Sequence, residues 1–405
     1  MSTSAPPTSS RKTSRPKLAR HARGSVLIAA VSGRALARAA TDAGYTPIVA
    51  DFFADRDTET LAQRVCKVPG DTARGFQWTA LEPALETLAT NAPSPLLGLI
   101  YGSGFEDRPQ LLGQIAERWP LLGNDASTVA RINDPARLFP ALERLAIAHP
   151  QTRLELPPEP DGWVAKRLGG AGGSHIRPAA ARTDRADLYY QELVSGRSIS
   201  ALFAASGGET IVLGFSEQWT APAPGKPWRY GGASQPADVS RAAADRITGI
   251  VSSVAADFQL TGLNAADFVL QGDDPLLLEF NPRPGATLDI FASTSTPLLA
   301  IHLDAVRHGA LPSYVPVYDD ATASAIVFAP ETLTIPTEMV WPSWAADLPK
   351  IGQRIDKERP ICTLLARAGS AADARRLVQT RVGDMLTALE MFEQSAHAAK
   401  SHAHE

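Results

Sequence analysis

Residues 264–285 read Asn264-Ala-Ala-Asp-Phe-Val-Leu-Gln-Gly-Asp-Asp-Pro-Leu-Leu-Leu-Glu-Phe-Asn-Pro-Arg-Pro-Gly285. Two apolar runs, Phe268 to Leu270 and Leu276 to Leu278, flank a cluster of glycine and aspartate that is typical of a turn. The pattern therefore predicts a β-hairpin.

The pairing of this hairpin decides which side chains share a face. If the turn is centred on Asp273, Gln271 pairs with Pro275 and Asp267 pairs with Glu279. Directly opposed residues lie on one face with Cβ atoms about 4.5–5.5 Å apart. Asn281 follows Glu279 by two residues and so points to the same face. Three oxygen donors are thus predicted to lie together.

Two carboxylates this close repel each other unless one is protonated or a cation lies between them. Mg²⁺ is a hard cation that binds through one or two carboxylates together with substrate phosphates. Arg283 follows, and its guanidinium suits a phosphate. The alternative is a hairpin whose acidic residues face water. The apolar run Leu276 to Phe280 argues against it, because it predicts a strand buried on both faces, where a carboxylate needs a partner.

Size and composition set wider limits. The chain has 405 residues, 20% of them charged and 44% hydrophobic, which is typical of two or three globular domains. A net charge of −4 gives no basic field for nucleic acid, and no apolar run is long enough for a transmembrane helix. Cys66 and Cys362 form no motif, which fits a reduced, cytoplasmic location.

Both ends of the chain differ from the rest. Residues 1–24 are rich in Ser, Thr, Pro and basic residues and lack the apolar core of a secretory signal, so we expect a disordered tail. A transit peptide is the alternative, although the prolines oppose an amphipathic helix. Residues 395–405 are predicted to be a second disordered tail.

The N-terminal part shows a β-α-β pattern. An apolar strand from Ser25 to Val31 precedes an alanine-rich helix, and a second strand begins at Thr46. Gly33 is a single glycine, which gives poor support for a nicotinamide cofactor. A third strand ends at the loop Gly102 to Glu106, which is either a substrate wall at the carboxyl end of the sheet or a plain turn.

A lysine and a glycine-rich loop follow. Lys166 lies in a short strand before Gly169-Gly-Ala-Gly-Gly-Ser174, which we call the glycine loop. Such a loop lets backbone N–H groups approach an anion closely, and a lysine beside it supplies a point charge. A mobile surface hairpin is the alternative. A strand then leads through Gln191-Glu-Leu-Val-Ser-Gly196 into a larger unit.

In this order, Lys166, the glycine loop, Gln191 to Gly196 and the segment Asp267 to Gly285 resemble the ATP-grasp superfamily over roughly residues 25–370. Within it, the chain looks most like the predicted ATP-dependent carboligase branch. The resemblance implies ATP and Mg²⁺, with Mn²⁺ as an alternative metal.

The resemblance also implies roles for single residues. Arg283 and Lys166 would be catalytic, and Asp267, Glu279 and Asn281 would hold the metal. The remaining nucleotide contacts would come from the glycine loop and the strand after it: Gly169, Gly170, Gly172, Gly173, Ser174, Gln191, Glu192, Leu193 and Val194. The chain departs from the family pattern at two places. Ser198 stands where many members carry an acid for the ribose, and Arg137 is the nearest basic residue where many carry a lysine before the lid.

The fold class expected from the resemblance combines α/β and α+β units. A parallel-sheet domain preceding the ATP-grasp fold would span residues 25–120, and a two-subdomain ATP-grasp domain 121–310, with its lid at about 151–194. A small β-rich domain would span 311–394.

By resemblance, the chain is an ATP-dependent ligase that activates a carboxylate as an acyl-phosphate, releases ADP and joins the acyl group to an amine. Some relatives of this branch act in the biosynthesis of one-carbon carriers such as tetrahydromethanopterin and methylofuran. The alternatives are a biotin-carboxylase-like enzyme that activates bicarbonate and a non-catalytic nucleotide-binding protein. The expected partners are a small-molecule carboxylate and amine, without nucleic acid or membrane, and a homodimer is one option for the assembly.

Overall fold

The structure is a computed structural model that describes residues 23–402 apart from 71, 73–74, 182–184 and 293–295. Most of the predicted basic tail lies outside these residues. The fold class is as expected: a parallel N-terminal sheet is followed by helices, a small antiparallel sheet, a large antiparallel sheet and a two-stranded sheet of residues 333–334 and 354–355. No helix in the described ranges is both long and apolar enough to cross a membrane.

The N-terminal sheet is parallel and four-stranded. Its strands are β1 (Ser25–Ala29), β2 (Thr46–Asp51), β3 (Arg64–Lys67) and β4 (Leu96–Tyr101), with helices α1 (Arg34–Asp42), α2 (Arg56–Leu61), α3 (Trp78–Thr90) and α4 (Gln110–Ala116). The strand order is β3-β2-β1-β4, so that the loops after β1 and β4 are neighbours at the carboxyl edge, where open α/β sheets bind ligands.

A small antiparallel sheet comes next. Helices α5 (Ala126–Ile132) and α6 (Pro135–Arg144) lead to the strands β5 (Thr152–Arg153), β6 (Trp163–Arg167), β7 (Arg177–Pro178) and β8 (Leu188–Glu192). Their order is β5-β8-β6-β7. We call this unit the small sheet, and it coincides with the residues predicted to be a lid.

The third sheet is antiparallel and eight-stranded, in the order β13-β12-β9-β10-β11-β14-β18-β16. The remaining strands are β9 (Arg197–Ser206), β10 (Glu209–Thr220), β11 (Tyr230–Gln235), β12 (Gly262–Gln271), β13 (Asp274–Asn281), β14 (Ala321–Phe328), β15 (Leu333–Thr334), β16 (Ala345–Ala346), β17 (Arg354–Ile355) and β18 (Pro360–Ala368). The remaining helices are α7 (Arg241–Phe258), α8 (Leu298–His308) and α9 (Ala371–His402). The pairing of β11 with β14 carries this sheet across the domain boundary predicted at residue 310.

Helix α9 continues beyond residue 394, where the sequence analysis places the start of a disordered tail. The stretch from Ser395 to His402 contains no glycine or proline that would stop a helix.

Strand β9 shows how the large sheet is buried on both faces. Ile199 and Phe203 pack in the core that includes α7, whereas Leu202 and Ala204 pack in the core that includes α8 and α1. Residues on both faces of β9 are therefore apolar, so a polar side chain in this strand needs a specific reason to be there.

The predicted hairpin is formed by β12 and β13, but its turn is shorter than predicted. Gln271 pairs with Asp274 and not with Pro275, because the loop consists of Gly272 and Asp273 alone. Gly272 has a φ of 61°, and a two-residue hairpin turn favours glycine at such a position.

A β-bulge restores the predicted pairing further from the turn. Leu278 is the extra residue between the pairs Phe268–Leu277 and Asp267–Glu279, so that Asp267 does lie opposite Glu279. The prediction that this strand is buried on both faces is wrong. Strand β13 is the edge of the sheet, and Leu278 is only half-buried.

A buried arginine joins three parts of the chain. Arg34, at the start of α1, donates to both carboxylate oxygens of Asp289 at 2.6 and 2.5 Å and to both of Asp347 at 3.0 Å. Asp289 follows the hairpin and Asp347 follows β16. The N-terminal sheet is thus tied to both ends of the large sheet, because removing one partner would leave a buried charge unpaired.

Asp55 lies beside this cluster and is itself 5% exposed. Burial raises its pKa to about 8, and the negative charges of Asp347, Asp51 and Asp57 add to the effect. The folded state therefore holds a proton on Asp55 in a pH range where the unfolded chain has lost it.

We predict that replacing Asp55 with Asn stabilises the protein more as the pH rises. Between about pH 4 and pH 8, only the unfolded wild-type chain has an ionised Asp55, so this group makes wild-type stability fall as the pH rises, by at most about 1.4 kcal/mol per pH unit. The amide of Asn cannot ionise. Urea denaturation of both proteins at pH 5 and pH 8 measures the difference, and Asp304→Asn on the exposed side of α8 is the control. An equal change for Asp55→Asn at both pH values would contradict the prediction.

Candidate active site

A row of polar side chains crosses four strands of the large sheet. Ser216 lies opposite Ser200, Ser200 opposite Asp267, and Asp267 opposite Glu279. The row lies on the face away from α7, since its neighbour Ile199 in β9 packs against that helix. Asn281, two residues after Glu279, adds an amide to the same face.

Asp267 is the centre of this row and is half-buried. Asn281 donates its amide N–H to Asp267 Oδ2 at 3.0 Å, and Gln218 donates to Oδ1 at 3.1 Å. Burial raises the pKa of Asp267 to about 6, and the charge of Glu279 raises it further, while hydrogen bonds from Ser200 and Gln218 oppose the shift. An added cation would favour the ionised form of both carboxylates.

The predicted metal ligands lie together on one face of β12 and β13. Asp267 and Glu279 present carboxylates, whereas Asn281 turns its amide N–H to Asp267 while its Oδ1 accepts from Arg283. All three are hard oxygen donors of the kind that Mg²⁺ takes. Within the described ranges no group of three Asp, Glu, His or Cys side chains could hold a metal.

Lys166 connects the small sheet to this row. Its Nζ lies 3.4 Å from Glu279 Oε2, 3.3 Å from Gln191 Oε1 and 5.7 Å from the centre of the Tyr189 ring. Burial would lower the pKa of Lys166, but Tyr189 and Glu279 together raise it above its ordinary value. Lys166 is therefore a fixed cation beside one of the two carboxylates.

Arg283 is held by a loop of the N-terminal sheet. Its Nε donates to Glu106 Oε1 at 2.5 Å, and Nη2 donates to Asn281 Oδ1 at 3.3 Å. Glu106 Oε2 accepts the backbone N–H groups of Gly104 and Phe105 at 2.7 and 3.0 Å. Burial would raise the pKa of Glu106, but the Arg283 charge and these bonds lower it overall. The loop after β4, which was either a substrate wall or a plain turn, thus lies at the site.

The glycine loop packs between two other segments. A Cβ atom on Gly169 would lie 2.4 Å from the backbone of Asp107, and one on Gly173 would lie 1.9 Å from the Trp228 carbonyl oxygen. The Gly172 carbonyl accepts the Tyr230 N–H at 3.0 Å. Glycine is therefore required at two positions of this loop for close approach as well as for a positive φ.

The other predicted nucleotide contacts occupy varied positions. Gln191 is buried against Lys166, whereas Leu193 is 50% exposed. The N–H groups of Glu192 and Leu193 donate to the carbonyls of Gln151 and Gly162. The remaining members, Gly170, Ser174 and Val194, lie on the glycine loop and after β8.

The structure also shows where the two residues that depart from the family pattern lie. Ser198 is half-buried in β9, next to the site row, and Arg137 is exposed on α6. Arg137 therefore does not face the buried site from that helix.

A cavity of about 40 Å³ lies where these parts meet. It is lined by Glu106, Ile132, Asn133, Pro135, Leu138, Phe139, Arg167, Gly169, Gly170, Tyr189, Leu278, Glu279, Phe280 and Asn281. The volume suits one or two water molecules and is far below the range of typical ligand sites.

The sequence analysis missed several of these residues. Ser200 could have been found, because it is a polar residue within the apolar strand Ile199 to Ala205. Gln218, Asn133 and Arg167 gave no such signal, since their placement depends on how β10, α5 and the small sheet pack together.

Comparison with known proteins gives the family of one segment. Residues 132–287 match the family model described as "ATP-grasp domain". A search of the curated proteins by sequence finds no match.

Solved structures extend the likeness to most of the chain. The biotin carboxylase domain of 2-oxoglutarate carboxylase from Hydrogenobacter thermophilus is 13% identical with a TM-score of 0.67, covering 88% of this chain and 89% of that one. An L-amino acid ligase from Bacillus licheniformis is also 13% identical, with a TM-score of 0.66 and coverage of 90% and 98%. N5-carboxyaminoimidazole ribonucleotide synthetase from Thermus thermophilus is 18% identical, with a TM-score of 0.62 and coverage of 87% and 96%. At these identities the likeness shows a shared fold.

We predict that Gly173→Ala detaches the glycine loop from β11 and that Gly172→Ala does so much less. Both residues have φ near 70°, but a Cβ on Gly172 meets nothing within 4 Å, so the difference between the variants isolates the clash with Trp228. Hydrogen exchange of the Tyr230 N–H, which bonds Gly172, should accelerate in Gly173→Ala. Equal exchange rates in both variants would show that the packing contact is unimportant.

Proposed function

The chain carries an ATP-grasp domain, and on that premise we propose that it is an ATP-dependent ligase. It transfers the γ-phosphoryl group of ATP to a substrate carboxylate, releasing ADP, and an amine then displaces phosphate from the acyl-phosphate. The observation that carries this proposal is the convergence of two cations on the paired residues Asp267 and Glu279. Lys166 lies 3.4 Å from Glu279, and Arg283 donates to Asn281, two residues further along the same strand. Phosphoryl transfer needs positioned charges more than a protein nucleophile.

The presence of an ATP-grasp domain also suggests which residues would hold the nucleotide and the metal. The H. thermophilus structure is described as a complex with MgADP, ADP and bicarbonate. In the present chain, Asp267, Glu279 and Asn281 would hold Mg²⁺, or Mn²⁺ in its place, which would neutralise phosphate charge. The glycine loop would cover the phosphates, and residues 191–194 would flank the adenine.

Arg283 and Lys166 have different roles in the proposed reaction. Arg283 is fixed by Glu106 before any substrate binds, so that it can stabilise charge on the transferring phosphoryl group without reorganisation. Lys166 lies beside Glu279 and, in this proposal, offsets part of the charge of the two carboxylates. Buried charges of this number have little use in a protein that only binds nucleotide, which argues against the non-catalytic alternative.

We propose a carboxylate and an amine as the substrates and keep bicarbonate as a second candidate. An L-amino acid ligase with this fold supports a carboxylate and an amine as the pair that is joined. A role in one-carbon carrier biosynthesis would be one setting for such a reaction. Bicarbonate activation is the second candidate, favoured by the similarity to two biotin carboxylase structures with TM-scores of 0.67. A homodimer is proposed because the first of them is described as a dimer.

We expect the products to decide the mechanism. Purified protein with MgATP and panels of carboxylic acids and amines should release ADP and phosphate. Once the substrate is found, ¹⁸O from its carboxylate should appear in the phosphate, because the acyl-phosphate oxygen leaves with phosphorus. AMP as the product, or unlabelled phosphate, would contradict the acyl-phosphate route. Transfer of ¹⁸O from labelled bicarbonate to the released phosphate would support the second candidate, bicarbonate activation.

We predict that Glu279→Gln loses most ATP turnover while the protein still folds. The amide keeps the shape of the side chain but removes a charge from the proposed metal site and from Lys166. Asp274→Asn is the matched control, because it removes an exposed carboxylate from the same hairpin. Phosphate release and thermal melting measure activity and folding. Near wild-type turnover in Glu279→Gln would remove the assignment.

A further inference from the structure

Two donors in the cavity wall have no hydrogen-bond partner. Asn133 Nδ2 and Arg167 Nε are both buried and unpaired within the described residues. Asn133 ends α5, and Arg167 is the last residue of β6, so that they reach the cavity from different elements. Both residues line it together with Glu279 and Asn281.

Unpaired buried donors are uncommon because a buried donor without a partner loses its hydrogen bonds to water and gains none in return. Asn133 Nδ2 and Arg167 Nε can only donate, so the group that satisfies them must be rich in acceptors. Gly169 and Gly170 line the same cavity, and His175, whose ring nitrogens are also unpaired, packs against Gly170. Two donors without partners, on Asn133 and Arg167, therefore lie in the wall of one cavity.

Arg167 is also the cation best placed for an anion there. It forms no ion pair in the part of the chain that the structure describes, and it lines the cavity. Lys166, its neighbour, is committed to Glu279 and Gln191. Arg137 is exposed on α6. From the sequence alone, Lys166 is the expected phosphate cation, whereas its neighbour Arg167 is the one that lines the cavity with an unpaired donor.

We propose that Arg167 and Asn133 bind the phosphates of the nucleotide and determine the affinity for its polyphosphate chain. The inference rests on the proposed function, since it concerns the same cavity. Arg167 supplies a cation that is not paired with Glu279, and Asn133 supplies a neutral donor from a different element. The guanidinium fork suits phosphate oxygens better than an ammonium does.

Binding of phosphate-bearing and phosphate-free probes tests the proposal. Calorimetry on the full chain compares MgATP, ADP, adenosine and inorganic tripolyphosphate. Arg167→Ala should weaken ADP and tripolyphosphate by about tenfold to a hundredfold, the usual effect of losing a charged hydrogen bond, and leave adenosine unchanged. Arg167→Lys should weaken them less. Asn133→Asp should weaken them through charge repulsion, without a change in size.

Arg177→Ala is the matched control, because Arg177 is an exposed arginine on β7, the strand that pairs with β6. It should bind all probes as the wild type does. Melting curves identify any variant that does not fold. If Arg167→Ala does not fold, the binding of the probes to Arg167→Lys is compared with their binding to the wild type instead. Equal loss of adenosine and ADP, or no loss of ADP, overturns the proposal.

The two proposals fail in different ways. If the wild type binds no ATP, the proposed function fails, and tripolyphosphate then tests the anion site by itself. Wild-type binding of tripolyphosphate that Arg167→Ala abolishes would support the site, whereas no wild-type binding would overturn it. If ATP binds equally well to the wild type and to Arg167→Ala, only the assignment of Arg167 fails.

Discussion

The bulge at Leu278 is the constraint on which both the core and the site depend. Strand side chains alternate between faces, so that Leu277 and Phe280 could not both enter the core beneath α7 in a regular strand. The extra residue shifts the alternation between them. It therefore turns Glu279 towards the polar face while Phe280 stays buried. The same device that satisfies the core places a carboxylate opposite Asp267.

Charges buried across segments fix how the sheets meet. Lys166 joins the small sheet to Glu279, and Arg283 joins the hairpin to Glu106 in the N-terminal sheet. Such pairs add little net stability, since desolvation offsets their attraction, but breaking one leaves a charge without a partner. Their effect is to select one arrangement of the three sheets. The site is therefore assembled by the same contacts that align them.

The sequence predicted the hairpin and the Asp267–Glu279 pairing, although for an incomplete reason. The turn is one residue shorter than predicted, and the bulge compensates for it, so two errors cancelled. Periodicity identifies strands and turns, but it cannot locate a bulge within an apolar run such as Leu276 to Leu278. Arg167 was missed for another reason. A residue at the end of a short strand is placed by how the small sheet packs on α5 and α6, and no local pattern carries that information.

The paired strands and the glycine loop hold their parts of the site in different ways. Asp267, Glu279 and Asn281 lie on paired strands, whose ladders hold them in place, whereas the glycine loop is held at β11 by one backbone bond and close packing. Gly169 and Gly170 of this loop also line the cavity of about 40 Å³ beside Glu279 and Asn281. In the proposed function, movement of the loop would admit the nucleotide, and its closure would exclude water from the phosphates. The proposal therefore assigns precision to the paired strands and access to the loop.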